Sequence, residues 1–130
     1  MNIGDIYSDK ISFNQEELIT FCDLVGDINP IHRDIQSAKK QGLKNCLVQG
    51  LFAVAVFSAR ASKLMPSFIK TIECSRETQF IRPVFVNEEL SLSCEIIDLD
   101  LTKGIGVVRE KIRNNKGQIC INSTVVTKIL

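Results

Sequence analysis

The stretch "LVQGLFAVAVFSARASKLMPS", residues 47–67, decides the fold. Its first turns carry apolar residues on every side, and a helix that is apolar all round must be buried all round. Gly50 stands near its beginning, and Pro66 is expected to stop the helix because proline cannot continue one. The pattern therefore predicts one helix that runs through the centre of the fold.

The residues after this helix change to the period of β-strands. Four segments are long, rich in β-branched residues and partly alternating, at residues 69–86, 89–101, 105–114 and 119–130. Short polar turns separate them, and "NNKG" at 114–117 indicates a hairpin because Gly117 can take a positive φ. Four consecutive strands after a buried helix predict an α+β fold with an antiparallel sheet wrapped around the helix. The other face and the edges of the sheet remain available to a partner subunit.

The residues before the helix predict a strand or hairpin arm at 3–13 and two further helices. In "NQEELITFCDLVGD", residues 14–27, Asn14 can cap the helix, Glu17 completes a capping box, and Gly26 ends it. One face of this helix carries Leu18, Phe21, Cys22 and Val25. "DIQSAKKQG", residues 34–42, predicts a short helix closed by Gly42.

Length and composition bound the class of protein. The 130 residues, with no linker or repeat, predict a single domain over 1–130. Hydrophobic residues make up 45% and charged residues 24%, which excludes a disordered chain. The 16 basic and 15 acidic side chains give a net charge of +1, so there is no electrostatic footprint for nucleic acid.

The cysteines and the apolar runs predict a cytoplasmic protein. The five cysteines are odd in number and widely spaced without a CxxC, which favours buried free thiols over a disulfide framework or a zinc site. We therefore expect no metal. The N-terminus lacks the apolar stretch of a signal peptide. The longest uncharged run, residues 45–59, is shorter than the roughly 20 residues that cross a membrane, so we expect no membrane contact.

The stretch "FCDLVGDINPIHRD", residues 21–34, contains the only histidine. Each residue alone is ordinary turn material, because Asp and Asn side chains bond nearby amides and proline fixes φ. Together they suggest chemistry, since Asp27 and His32 lie five residues apart across a turn that Pro30 stiffens. A carboxylate and an imidazole at one spot can hold and activate a water, and Asn29 can rigidify the turn.

Gly50 and Ser58 are the further candidates, both in the predicted central helix. The amides at a helix N-terminus carry partial positive charge and can polarise a carbonyl, and glycine at position 50 allows a close approach. A packing role for Gly50 is the alternative interpretation. Ser58 taken alone has no predicted role, because a mid-helix serine usually bonds back to a carbonyl.

The stretch from Phe21 to Ala38 resembles the hydratase-2 motif of MaoC-like and (R)-specific enoyl-CoA hydratases. That motif runs from an aromatic residue through Gly-Asp-x-Asn-Pro-aliphatic-His to a small residue. The matching positions here are Phe21, Gly26, Asp27, Asn29, Pro30, Ile31, His32 and Ala38. The similarity continues through "LVQGLFAVAVFSA" and "FIRPVFVNEELSLSCEI", so it covers nearly the whole chain.

The resemblance implies a hot-dog fold, usually a dimer with a continuous sheet, and syn addition of water to trans-2-enoyl-CoA or the reverse dehydration. It implies that Asp27 and His32 are the catalytic pair. It places Gly50, whose amide would bind the thioester carbonyl, with Ser58 and Asn29 at the substrate site. No metal and no redox cofactor is expected, and the partners are acyl-CoA or acyl carrier protein and a second copy of the chain.

Several assignments stay open at this stage. Gln49 stands where the family often has histidine, which puts substrate preference and the carbonyl site in question. Apolar residues such as Phe52, Val56 and Phe57 could line an acyl slot or belong to the core. Cations for the phosphates could come from Arg60, Lys63 or Arg82, or these could be solvated surface residues. The alternatives to the hydratase are a 3-hydroxyacyl carrier-protein dehydratase, a thioesterase, and a non-catalytic thioester-binding protein.

Overall fold

The computed structural model describes residues 1–64 and 70–130, so the predicted stop at Pro66 lies outside the described residues. Within these described ranges, five strands and three α-helices follow one another, with a 3-10 helix at Pro30–His32. The strands are β1 Ile6–Ile11, β2 Thr71–Phe80, β3 Leu90–Asp100, β4 Ile105–Arg113 and β5 Ile119–Ile129. The helices are α1 Gln15–Val25, α2 Ile35–Lys40 and α3 Gly50–Leu64.

The five strands form one antiparallel sheet in the order β1-β3-β4-β5-β2. Hairpins join β3 to β4 and β4 to β5, and the second of these closes at the predicted Gly117, where φ is 76°. The first strand does not lie next to the second. β1 pairs with β3 at one edge, and β2 pairs with β5 at the other.

The predicted strand over 69–86 is too long, because β2 ends at Phe80. Pro83 has no amide hydrogen for a ladder, and the chain turns away from β5 there. The amide of Val48 then donates to the carbonyl of Val84 at 2.8 Å, and the amide of Val86 donates to Cys46 at 3.2 Å. This pairing fixes the segment 46–48 that leads into α3.

Helix α1 forms as predicted at both ends. The Asn14 side chain accepts a hydrogen bond from the Glu17 amide at 2.7 Å, and Gly26 has φ 80° in the left-handed region. Glu17 in turn accepts from the side-chain amide of Asn14 rather than from its backbone. The predicted apolar face is correct for Leu18 and Cys22, which are fully buried, but Val25 is 55% exposed because the helix ends beyond the edge of the core.

Helix α3 is not buried all round, so that prediction is wrong for this chain. Phe52, Ala53, Val54, Phe57 and Ala61 pack into the core. Leu51 is 64% exposed, and Ala55 is also exposed. One side of the helix packs on the sheet and one side is open, which leaves an apolar stripe on the surface.

The thiols are free, and four of the five, Cys22, Cys46, Cys94 and Cys120, are buried as predicted. Cys74 on the edge strand β2 is exposed. Burial raises the pKa of the Cys94 thiol to about 12. Within residues 1–64 and 70–130, no helix is long and apolar enough to cross a membrane.

Candidate active site

The turn between α1 and α2 places the predicted catalytic residues. After Gly26 the amide of Asp27 donates back to the carbonyl of Cys22 at 2.8 Å, which closes the helix. The Asn29 side chain then accepts from the amide of Ile31 at 3.3 Å and caps the 3-10 helix, with Pro30 in its first position. Asn29 thus stabilises the turn, as its residue type predicted.

Asp27 and His32 face each other across this turn. The Nε2 atom of His32 lies 3.7 Å from Oδ2 of Asp27. That separation is longer than a hydrogen bond. The second oxygen of Asp27, Oδ1, accepts the amide of Asn29 at 3.0 Å. The His32 side chain is 9% exposed and the Asp27 side chain 24%, so the pair is largely shielded from bulk solvent.

The backbone of Leu47 binds two residues of the 3-10 helix, Ile31 and His32. Its amide donates to the carbonyl of Ile31 at 3.0 Å, and its carbonyl lies 2.6 Å from Nδ1 of His32. A carbonyl oxygen can only accept, so Nδ1 carries the proton of this bond. In the neutral ring Nε2 then has a free lone pair, and that lone pair points toward Asp27.

Two side chains that the sequence analysis did not single out hold the backbone of the catalytic residues. The side-chain amide of Gln15 donates to the carbonyl of His32 at 2.7 Å. The guanidinium of Arg33 donates to the carbonyl of Asp27 from Nη2 at 3.0 Å and from Nε at 3.3 Å. Arg33 directly follows His32 in the sequence, and this position could have indicated a role near the catalytic pair. No local sequence pattern indicates such a role for Gln15.

Asp23 holds Arg33 in place. Asp23 lies about one helical turn before Asp27, and its Oδ1 accepts from Nη2 of Arg33 at 2.6 Å. This hydrogen bond raises the pKa of the Arg33 guanidinium, which stays charged.

Gly50 begins α3, and Gln49 is the cap of that helix. The Gln49 side chain accepts from the amide of Phe52 at 2.8 Å. In the part of the chain that the structure describes, the amides of Gly50 and Leu51 have no hydrogen-bond partner, as at the open end of any helix. The residue that replaces the family's usual histidine therefore stabilises the helix end and leaves its first amides free.

A cleft of about 350 Å³ lies over the start of α3. It is lined by Leu47, Val48, Gly50, Phe80, Ile81, Arg82, Pro83, Val84 and Ile121. Leu47 thus belongs to the wall of this cleft and also binds the His32 ring, so the backbone of one residue connects the catalytic pair to the Gly50 cleft. The walls are apolar apart from Arg82.

Phe80 packs directly on Gly50. A Cβ atom added to Gly50 would lie 2.7 Å from Cε1 of the Phe80 ring, closer than real Cβ contacts. Phe80 is 54% exposed, so its ring forms the outer wall of the cleft. The glycine lets the ring and the first turn of α3 approach each other, which is the packing role named above as the alternative for Gly50; its role at a substrate carbonyl stays a prediction.

Ser58 lies in a different place. It borders a separate pocket of about 160 Å³ between α3 and the strands β2, β4 and β5, and it is not part of the lining of the Gly50 cleft. Glu110 lines this pocket and is bound by Arg76 at 2.9 Å. Burial raises the pKa of Glu110, while Arg76 opposes that shift. The substrate role of Ser58 stays a prediction.

The three candidate cations differ in their surroundings. Arg82 lines the Gly50 cleft and donates to the carbonyl of Ile119 at 2.7 Å. Arg60 pairs with Asp9 at 3.4 Å, and Lys63 is exposed near the end of α3. Of the apolar candidates, Phe52 and Phe57 are core residues; the Phe52 ring meets the Phe13 ring edge to face and the Phe21 ring at a tilt. Within the described residues, no group of three or more acidic, His or Cys side chains is placed to hold a metal ion.

Comparison with known proteins identifies the family of the chain. The family described as a MaoC-like domain matches residues 5–116. The chain belongs to this family. It is 26% identical over 117 residues to the (R)-specific enoyl-CoA hydratase of Aeromonas caviae, covering 90% of this chain and 87% of that protein. It is 26% identical over 132 residues to the mitochondrial 3-hydroxyacyl-[acyl-carrier-protein] dehydratase of Arabidopsis thaliana, covering 100% of this chain and 78% of that protein.

The solved structure of the A. caviae (R)-hydratase has the same fold. It superposes with a TM-score of 0.91 at 24% identity and covers 100% of this chain and 98% of the other. The predicted hot-dog fold of the MaoC-like chain is thereby confirmed. The predicted enzyme class, a hydratase or dehydratase, is confirmed by the family and by both relatives.

Proposed function

We propose that this MaoC-like protein adds water to trans-2-enoyl-CoA to give (R)-3-hydroxyacyl-CoA, or catalyses the reverse dehydration. The observation that carries the proposal is the pairing of Asp27 Oδ2 with His32 Nε2 at 3.7 Å. The other oxygen of the carboxylate and the other nitrogen of the ring are both occupied by the backbone, at Asn29 and Leu47. Each catalytic side chain is left with one free acceptor, and the two acceptors face one spot.

This geometry suits a bound water. A water that donates one hydrogen bond to Oδ2 and one to Nε2 is oriented by these two acceptors, and an oxygen lone pair is left for attack on the β-carbon. The pair accepts one proton from this water and passes one proton to the α-carbon, while the hydroxyl joins the β-carbon, so the new C–H hydrogen and the hydroxyl together account for one water. The carboxylate and imidazole act as one coupled unit in these transfers.

The thioester carbonyl is assigned to the start of α3. As the α-carbon gains electron density, negative charge develops on the thioester oxygen. The free amide of Gly50, at the positive end of the helix, can donate to that oxygen. The apolar walls of the neighbouring cleft suit the hydrocarbon part of the substrate, and Arg82 supplies a positive charge at the same cleft. Ser58 and Asn29 remain assigned to the substrate site, Asn29 through its support of the turn.

The reaction class needs no redox cofactor and no metal, because acid–base groups and hydrogen-bond donors supply each step. We also propose that the protein works as a homodimer. In the part of the chain that the structure describes, β2 is an edge strand paired with β5 alone, and most of its side chains are exposed. Ile72 and Phe80 on this strand are both more than half exposed, and an edge of this kind suits pairing with a second copy.

A second candidate is dehydration of 3-hydroxyacyl chains on acyl carrier protein. It is supported by the similarity to the Arabidopsis dehydratase over the whole chain. Both carriers present the same pantetheine thioester, so the catalytic pair would act identically. A thioesterase is not favoured. Glu110 does reach the side of α3 near Ser58, but Arg76 binds it.

The test is a spectrophotometric hydration assay with enoyl-CoA thioesters from four carbons upward, with chiral analysis of the product. We expect turnover with formation of the (R)-alcohol, and loss of turnover in Asp27→Asn. The same thioesters on acyl carrier protein decide between the carriers. Hydrolysis of the thioester without hydration, or release of the (S)-alcohol, would overturn the proposal.

A further inference from the structure

The backbone of Asp27 is held by a side chain outside the catalytic pair. Its amide bonds to Cys22, and its carbonyl accepts two hydrogen bonds from the single guanidinium of Arg33. Within the described residues, Arg33 provides the only side-chain contacts to this carbonyl. Because Asp27 lies beyond α1 and directly after its cap at Gly26, rotation about its backbone would swing the carboxylate away from His32.

Arg33 can perform this role because Asp23 fixes the guanidinium from the other side. Asp23 lies in the last turn of α1 and binds Nη2 at 2.6 Å, and the same nitrogen donates to the Asp27 carbonyl at 3.0 Å. The fork geometry of arginine lets Nε and Nη2 approach one oxygen together. Arg33 is thereby tied to α1, which begins and ends with confirmed caps, and to the turn that carries the catalytic carboxylate.

We propose that Arg33, oriented by Asp23, is a positioning residue for catalysis. It fixes the backbone of Asp27 so that Oδ2 faces Nε2 of His32. The inference rests on the proposed hydration reaction, in which both atoms must meet one water. Arg33 itself does not contact the reacting atoms.

A positioning role predicts a different outcome from a purely structural one. The Asp23 carboxylate is 62% exposed and the Arg33 side chain 28%, and a surface ion pair of this kind contributes little to stability. Loss of Arg33 should therefore leave the thermal unfolding temperature nearly unchanged. It should instead lower the rate of the chemical step, because a displacement of about 1 Å at a catalytic group costs up to about 100-fold.

The experiment compares Arg33→Gln, Arg33→Lys and Asp23→Asn with the wild type in crotonyl-CoA hydration. Arg113→Gln is the matched control, since Arg113 also makes a side-chain hydrogen bond, to Ser93 at 3.2 Å, but lies on β4 away from the motif. We expect kcat to fall about 10- to 100-fold in Arg33→Gln with KM within about twofold. Arg33→Lys should recover part of kcat, and Arg113→Gln should match the wild type.

Hydrogen–deuterium exchange of residues 26–32 gives a readout that does not need a substrate. We expect faster exchange in Arg33→Gln and no change in Arg113→Gln. Wild-type kcat in Arg33→Gln, or a rise in KM with unchanged kcat, would overturn the positioning role while the proposed function stands. If the wild type hydrates no enoyl thioester, the proposed function fails and the catalytic role of Arg33 fails with it. Unchanged exchange in Arg33→Gln would then also show that Arg33 does not stabilise the backbone of this turn.

Discussion

Nε2 of His32 and Oδ2 of Asp27 lie 3.7 Å apart, and neither atom has another partner among the described residues. The rest of each side chain is committed elsewhere, to the Leu47 carbonyl at 2.6 Å and to the Asn29 amide at 3.0 Å. Two acceptors are therefore held side by side without bonding to each other.

Removal of either catalytic group should abolish activity without unfolding the protein. We expect Asp27→Asn and His32→Ala each to lower kcat for crotonyl-CoA hydration by about 10²- to 10⁴-fold, the usual contribution of a general acid–base group. Steady-state kinetics and circular dichroism melts measure the two effects. Asp100→Asn, at the last residue of β3, is the control and should be fully active. Normal turnover in either catalytic variant would contradict the assignment of the pair.

Asn29 should act through the turn rather than through the substrate. Its side chain accepts the Ile31 amide at 3.3 Å, so Asn29→Ala removes the cap while Asn29→Ser keeps a shorter acceptor. We expect a fall of about tenfold in kcat for the alanine variant, with partial recovery in the serine variant. A rise in KM at constant kcat would instead mean that Asn29 binds the substrate directly.

An alanine at position 50 should impair the carbonyl site. The added Cβ would meet the Phe80 ring at 2.7 Å, and the ring can relieve the contact only by moving away from the start of α3. We expect kcat/KM to fall at least about tenfold, with a small change in unfolding temperature because Phe80 is a surface side chain. The double variant Gly50→Ala/Phe80→Ala tests whether the loss of activity comes from the contact with the Phe80 ring. Recovery of activity identifies the ring as the obstacle, and wild-type activity in Gly50→Ala alone would refute the role of this position.

Gln49 should contribute to stability as the cap of α3. Its side chain accepts the Phe52 amide at 2.8 Å, and loss of an N-cap acceptor costs about 1 kcal/mol. We expect urea denaturation to give a free energy of unfolding lower by about that amount in Gln49→Ala and restored in Gln49→Ser. Gln41→Ala is the control, because Gln41 caps α2 through its backbone only. Equal stability of Gln49→Ala and the wild type would exclude the capping role.

Asp34 should stabilise α2 in a pH-dependent way. The Ser37 hydroxyl, and then the Gln36 amide, hold the pKa of the Asp34 carboxyl below its usual value. The stabilisation is therefore complete above the ordinary pKa of about 3.9 and is lost as pH falls through the lower folded-state value. Melting curves should place Asp34→Ala below the wild type at pH 7 and close to it near pH 2. Asp34→Asn keeps a capping acceptor and should fall between them at neutral pH. A constant gap between wild type and Asp34→Ala across this range would contradict the prediction.

Local signals in the sequence determined much of this protein. Asn14 and Gly26 bounded α1, and Gly117 marked the hairpin between β4 and β5, because caps and turns depend on residues within one turn of each other. The spacing of Asp27 and His32 predicted that they meet, since five residues around a proline turn leave few other arrangements. The residue pattern of the motif was enough to predict the family.

Only the tertiary structure decided how that pair is held. The Leu47 carbonyl that fixes the imidazole lies 15 residues beyond His32, and the Phe80 ring reaches Gly50 from another strand. The placement of β1 beside β3, and the exposure of Leu51 and Val25, likewise depend on how distant segments pack. Backbone carbonyls are the same at every residue, so a sequence cannot indicate which one will bind a ring. The Leu47 carbonyl reaches the His32 ring only in the folded chain, in which residues 84–86 pair with the segment that enters α3.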